Sequence, residues 1–180
     1  MLSVPFWLKA AIFLAMTGPI AFISWLAFKH RALLGISRFI SYELTILLVV
    51  WNLEHLFFRP LSALGLCSWV LLSASLWLAV VGMLTIARLG KAELIIDGTT
   101  RLITQGVFEY VRHPLYASVL YLGLGFALKK PAWPQLVVWL VATVFLLIQV
   151  KLEEDGLVKQ FGEPYRQYMK RVKRFAPWVI

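Results

Sequence analysis

One cysteine, Cys67, stands in the 180 residues. That excludes a disulfide within the chain and any metal site built on several thiolates, and Cys67, set in an apolar run, reads as a packing residue. Charge is scarce too: Asp, Glu, Lys and Arg make up 15% of the chain against 61% hydrophobic residues, and the mean hydropathy is +0.78. So few polar groups cannot screen so much apolar surface from water, and the solvent the sequence asks for is a bilayer. The long apolar runs do not alternate as barrel strands do, which leaves helices as the elements that cross it. Acidic residues are scarcest, nine against eighteen basic, for a net charge of +9. The basic residues flank apolar runs instead of forming a soluble basic face. Nucleic acid is therefore excluded as a partner, and the cations read as topology signals and contacts to anionic lipid.

Runs near twenty apolar residues cover 4–28, 39–58, 61–87 and 131–150, with a shorter one at 114–128. The first is long for the core of a signal peptide and no clear small-residue cleavage site follows it, so it is taken as a span. The short run reaches only about 22 Å at a helical rise, against a hydrocarbon core of about 30 Å. Charge decides in its favour. With five spans and the N-terminus outside, fourteen of the eighteen lysines and arginines fall on the inner side, leaving Lys9, Arg59, Lys129 and Lys130 outside. That bias is the one the positive-inside rule expects. The predicted fold is thus all-α, an integral membrane bundle of about five transmembrane helices. It forms a single domain over 1–180, with three spans in 1–88 and the remaining polar chemistry in 89–180. Residues 159–174 interleave basic residues with Leu157, Phe161, Tyr165, Tyr168 and Val172 around a break at Gly162-Glu163-Pro164. They predict a C-terminal amphipathic helix at the membrane surface.

Polar groups near hydrocarbon need an explanation. Glu54 and His55 end their span and reach the outer interface or pair with Arg59; Glu43 stands near the inner end of the same run, which also holds Asn52. Arg112-His113-Pro114 places a cation, a titratable ring and a helix-starting proline where a polar loop enters an apolar helix, with Tyr116 one turn in. Such a start has spare N–H donors for a carboxylate or another acceptor, or else the pair simply marks the interface. Glu153-Glu154-Asp155 follows the last span. These carboxylates either attract a cation or pair with Lys151 and the basic tail.

Leu102-Ile103-Thr104-Gln105-Gly106-Val107-Phe108, Tyr110-Val111-Arg112-His113-Pro114-Leu115-Tyr116, Glu153-Glu154, the run from Phe161-Gly162-Glu163-Pro164-Tyr165 to Tyr168, and Arg174-Phe175-Ala176-Pro177 occur in this order. Together they resemble the isoprenylcysteine carboxyl methyltransferase and phospholipid methyltransferase superfamily, over roughly the second half of the chain. The resemblance implies a membrane enzyme that transfers a methyl group from S-adenosyl-L-methionine. It assigns Thr100, Arg101, Leu102, Ile103, Phe108, His113, Pro114, Leu115, Tyr116 and Glu153 to the cofactor. A sulfonium, an ammonium, a carboxylate and a flat adenine suit such a mixture of acidic, basic and aromatic groups. No Gly-x-Gly-x-x-Gly turn joins a strand to a helix, which disfavours the soluble Rossmann type of methyltransferase; Gly123 and Gly125 lie inside a span and read as close helix packing.

Two positions depart from the family pattern. Gln149 stands where prenylcysteine enzymes carry an arginine for the substrate carboxylate, and a neutral amide cannot neutralise that charge. Ala117 replaces a common glycine, a mild change. Gln149 is accordingly the candidate substrate-binding residue, and the acceptor is a lipophilic or small membrane-partitioning molecule that enters from the bilayer. A carboxylate acceptor needs no base; an amine or thiol does, and Glu154 and His113 are the candidates for that catalytic role. No metal is called for. The competing expectations are an NADPH-dependent membrane reductase of the sterol reductase type and a non-catalytic transporter or assembly protein.

Overall fold

The computed structural model describes residues 4–58, 60–89 and 102–177. It is all-helical: α1 (Phe6–His30), α2 (Ala32–Asn52), α3 (Ala63–Leu89), α4 (Pro114–Ala127), α5 (Trp133–Phe161) and α6 (Glu163–Arg171). Short 3₁₀ turns follow α2 at Leu53–His55 and precede α4 at Gly106–Glu109. Four helices are long and apolar enough to cross a membrane, and α4, at fourteen residues, is the shorter apolar helix expected.

α1 and α2 are separated by Arg31 alone. The corner closes because residue 35 is glycine: a Cβ there would lie 2.6 Å from the backbone of Phe28. Arg31 then reaches across to α5 and donates to the Leu152 carbonyl at 2.9 Å. α2 is the central helix, packed on α1, α4 and α5, while α3 packs on α4. At the α3–α4 seam a Cβ on Gly125 would meet Leu72 at 2.8 Å, and Ser68 and Ser75 donate to the carbonyls of Gly125 and Ser118 at 2.7 Å each. These are the small-residue contacts by which helices associate where no hydrophobic force drives them together. Gly123 also packs closely, against Trp139.

The outward faces of α1, α3 and α5 carry Phe6, Trp7, Val70, Leu76, Trp133 and Leu140, all exposed, as a lipid-facing surface would be. Cys67 lies on this exposed side of α3 and not in the packing expected of it. At the end of the bundle away from α6, Glu54 pairs with Lys9 at 3.2 Å, and Lys129 sits 3.7 Å above the Trp69 ring. Arg59, the partner in one of the two readings of Glu54, lies outside the described residues. Glu43 accepts from Thr17 of α1 at 2.9 Å, and Asn52 accepts from Gln135 of α5 at 3.2 Å. Both polar groups thus join helices.

α2 starts seven residues before the expected position 39, and α5 continues eleven residues past position 150. α5 ends at Gly162, whose φ of +62° suits a residue without a side chain, and Pro164 then lies in the first turn of α6. α6 turns Tyr165 and Tyr168 inward against Leu102, Leu157, Phe161 and Val172, and leaves Arg166, Gln167, Lys170 and Arg171 exposed. Its apolar face is covered by the protein.

Candidate active site

The extension of α5, the tail after α6 and the loop before α4 meet at one end of the bundle. Val111 and Lys173 form a parallel bridge, in which the N–H of Arg112 donates to Lys173 O at 2.8 Å and that of His113 to Arg174 O at 3.0 Å. Tyr168 donates to the Phe108 carbonyl at 2.5 Å and Tyr121 to that of Phe175 at 2.9 Å. Burial pushes the phenols of Tyr165 and Tyr168 up, so both stay protonated at neutral pH.

Glu154, 3% exposed, lies at the centre of this junction. Its carboxylate accepts from Arg112 Nη2 at 2.8 Å and from Arg174 Nη2 at 2.6 Å, and His113 Nε2 lies 3.2 Å away. Taking a carboxylate out of water costs several kcal/mol unless it is paired and hydrogen-bonded, and here both conditions hold. The same carboxylate raises the Arg174 guanidinium above its ordinary value by hydrogen bonding. Arg112 also turns its Nη1 to the carbonyls of Met169 and Val172, at the end of α6. Those carbonyls have no partner within the helix, so one guanidinium caps α6 and neutralises Glu154 together.

Successive residues on a helix point about 100° apart, so Glu153 serves a different neighbourhood. It is half-buried and accepts from the Tyr116 hydroxyl. Gln149, one turn earlier on the same face, donates from Nε2 to Tyr116 Oη at 2.9 Å and is fully buried. Its Oε1 has no hydrogen-bond partner among the described residues. Arg38 and Tyr42 of α2 adjoin this group. His113 links the two neighbourhoods, with Nε2 toward Glu154 and its ring 5.6 Å from that of Tyr116.

Of the residues singled out in the sequence, His113, Tyr116, Gln149, Glu153 and Glu154 come together. Pro114 is buried at the first position of α4, where its missing N–H costs nothing, and Leu115 turns toward Gly82 of α3. Phe108 packs on the main core, Leu102 on the α6 cluster, and Ile103 is buried. Thr100 and Arg101 lie outside the described residues. Sequence reasoning missed the joining roles of Arg112, Tyr168 and Arg174, and the approach of Arg38 and Tyr42. Buried cation pairing was foreseeable only as a tail contact to the acidic run, and the partners are too far apart in sequence to be chosen in advance.

The chain is similar to the methanethiol S-methyltransferase of Pseudomonas deceptionensis, with 37% identity over 87 residues, 46% of this chain and 30% of that protein. It is 28% identical over 140 residues to the methanethiol S-methyltransferase of Crocosphaera subtropica, covering 73% of this chain and 52% of the other. The human protein-S-isoprenylcysteine O-methyltransferase matches at 30% over 129 residues, 62% and 45% of the two chains. The chain thus spans about half or less of the length of these relatives. Residues 62–164, which include α3, α4 and both adjacent glutamates, match the family described as phospholipid methyltransferase. This multi-pass membrane protein belongs to the phospholipid methyltransferase family.

Proposed function

We propose that the chain transfers the sulfonium methyl of S-adenosyl-L-methionine to a small, uncharged thiol that partitions into the bilayer, of the kind methylated by the methanethiol S-methyltransferases it resembles. The observation that carries this reading is the buried Gln149 amide, held against Tyr116 and Glu153 with one oxygen unpartnered. The Gln149 amide cannot neutralise a carboxylate and the neighbouring Glu153 repels one, which favours an uncharged acceptor.

The residues present fit the cofactor. Half-buried Glu153 suits a cationic group, the uncapped first turn of α4 suits a carboxylate, and the rings of Phe108, His113 and Tyr116 suit a flat base. Leu102, Ile103, Pro114 and Leu115 would supply apolar walls, with Thr100 and Arg101 on the adjoining loop. When bound, the cofactor supplies an electrophilic methyl group, and the protein's part is to orient both reactants and keep water out. In this reading Glu154 and His113 position the loop and tail more than they exchange protons, because Glu154 is committed to Arg112 and Arg174. The site faces the cytoplasm and the N-terminus lies outside, an orientation supported by the fourteen inner cations.

Purified protein in lipid, given labelled cofactor with an alkanethiol, a prenylcysteine and a phosphatidylethanolamine in competition, tests the reading. Label is expected in the thioether. Label in the prenyl carboxylate or the lipid amine overturns the acceptor. Binding of NADPH without binding of S-adenosylhomocysteine overturns the methyltransferase and favours the reductase.

A further inference from the structure

Methylation of a neutral thiol releases a proton, because the thiolate is the nucleophile. Of the two adjacent carboxylates at the end of α5, Glu154 has its oxygens committed to Arg112, Arg174 and His113, and a proton there must displace a buried ion pair. Glu153 differs. It is only half-buried, and it accepts a hydrogen bond from a phenol. Tyr116 Oη in turn accepts from Gln149 Nε2, which leaves one lone pair of the phenol oxygen for another donor. Gln149 Oε1 is buried and unpartnered among the described residues, and the same amide also bonds to Tyr42. Arg38 and Tyr42 face the group from α2 and His113 from the start of α4.

We propose that Tyr116 and Glu153 form the proton acceptor for the thiol, with Gln149 holding the phenol in line; this rests on the thiol reading above. The thiol proton passes to Tyr116 Oη while the phenol proton passes to the Glu153 carboxylate, which becomes a neutral acid. The acceptor sulfur then bonds to the methyl carbon as the bond from that carbon to the sulfonium breaks, and the electron pair of the broken bond stays on the departing sulfur. Glu153 returns its proton to water.

The test uses the full chain in lipid, with a cofactor analogue that carries an amine in place of the sulfonium methyl, so that no transfer occurs. An aromatic thiol whose thiolate is coloured is bound and titrated. At a pH where this thiol is mostly neutral in solution, wild-type protein is expected to hold at least about tenfold more of it as thiolate than Glu153→Gln, with Tyr116→Phe between them. In turnover at saturating cofactor, Glu153→Gln is expected to lose on the order of a hundredfold or more in kcat with an alkanethiol, and at least about tenfold less than that with a thiol already ionised at the assay pH. Circular dichroism establishes that each variant is folded, and Tyr116→Phe keeps the ring and its packing. Equal thiolate fractions in wild type and variants, or equal losses with both thiols, overturn the proposal and leave the pair a binding role. Wild-type protein that methylates neither thiol overturns the acceptor reading and this proposal with it.

Discussion

Arg112 and Glu154 meet at 2.8 Å with side chains 7% and 3% exposed, and the guanidinium that neutralises the carboxylate also caps the end of α6. Arg174 binds the other side of the same carboxylate from a position 36% exposed. The two arginines therefore differ in worth. Arg112→Met leaves a buried carboxylate short of its dry partner and α6 uncapped, and is expected to cost about 3–5 kcal/mol. Arg174→Met removes a partly solvated contact and is expected to cost about 1 kcal/mol or less. Thermal unfolding in detergent distinguishes them; equal shifts would mean that the burial difference is without energetic effect.

Tyr165 and Tyr168 give a second contrast on one helix. The Tyr168 hydroxyl satisfies the Phe108 carbonyl, so Tyr168→Phe is expected to cost about 1–3 kcal/mol and to speed hydrogen exchange across 107–113. The Tyr165 hydroxyl is buried without a partner among the described residues. Tyr165→Phe is expected to be neutral or stabilising.

The same burial sets a pH response. Both phenols titrate higher in the folded protein than in an unfolded chain, so above about pH 10 the unfolded chain releases protons that the folded one retains. Their contribution is complete below that value and falls as pH rises through the folded range. Alkaline unfolding curves are expected to be shallower for a double phenylalanine variant. An unchanged slope would sink this assignment.

Glycine at the α1–α2 corner is required by space. Gly35→Ala places a methyl group 2.6 Å from the Phe28 backbone and is expected to destabilise by about 1–3 kcal/mol, despite the better helix propensity of alanine. Gly18, also helical, has nothing within 4 Å of where a Cβ would lie, and Gly18→Ala is expected to be tolerated. Unfolding midpoints of the two variants provide the check.

Gln149→Arg tests acceptor choice. An added guanidinium beside Tyr116 and Glu153 is expected to reduce transfer to a neutral thiol at least about tenfold and to improve binding of an anionic acceptor. Competition between the two acceptors in one reaction reads this out as a ratio. A ratio unchanged from wild type would remove Gln149 from the acceptor site.

The four long spans were legible because twenty apolar residues have few other fates, and α4 was legible as a shorter apolar helix. Where hydropathy failed, it failed for a physical reason. It reports membrane depth, not backbone hydrogen bonding. α2 runs through Arg38 and two serines whose hydroxyls bond to carbonyls in the turn before them, Ser37 to Leu33 at 2.7 Å and Ser41 to Arg38 at 3.1 Å. α5 likewise continues through Lys151, Glu153 and Glu154 as far as Phe161. The motifs around His113 and Glu153 lie at the end of the bundle where loop and tail meet, but the different partners of the two adjacent glutamates were not legible. It depends on a 100° turn and on partners supplied from elsewhere in the chain. α6 was expected to lie on lipid for want of any visible protein surface to receive Tyr165 and Tyr168.

Those partners are far apart along the chain: 42 residues separate Arg112 from Glu154, and 60 separate Arg112 from Val172 and Phe108 from Tyr168. The membrane helices, by contrast, each satisfy their own backbones, and α1 and α2 meet across a single residue. The order of assembly follows. Helices insert and pair first, and the junction of loop and tail closes last, after the larger loops have lost their freedom. The order of loss is the reverse, so warming or a harsh detergent is expected to open the junction while the membrane helices are still intact.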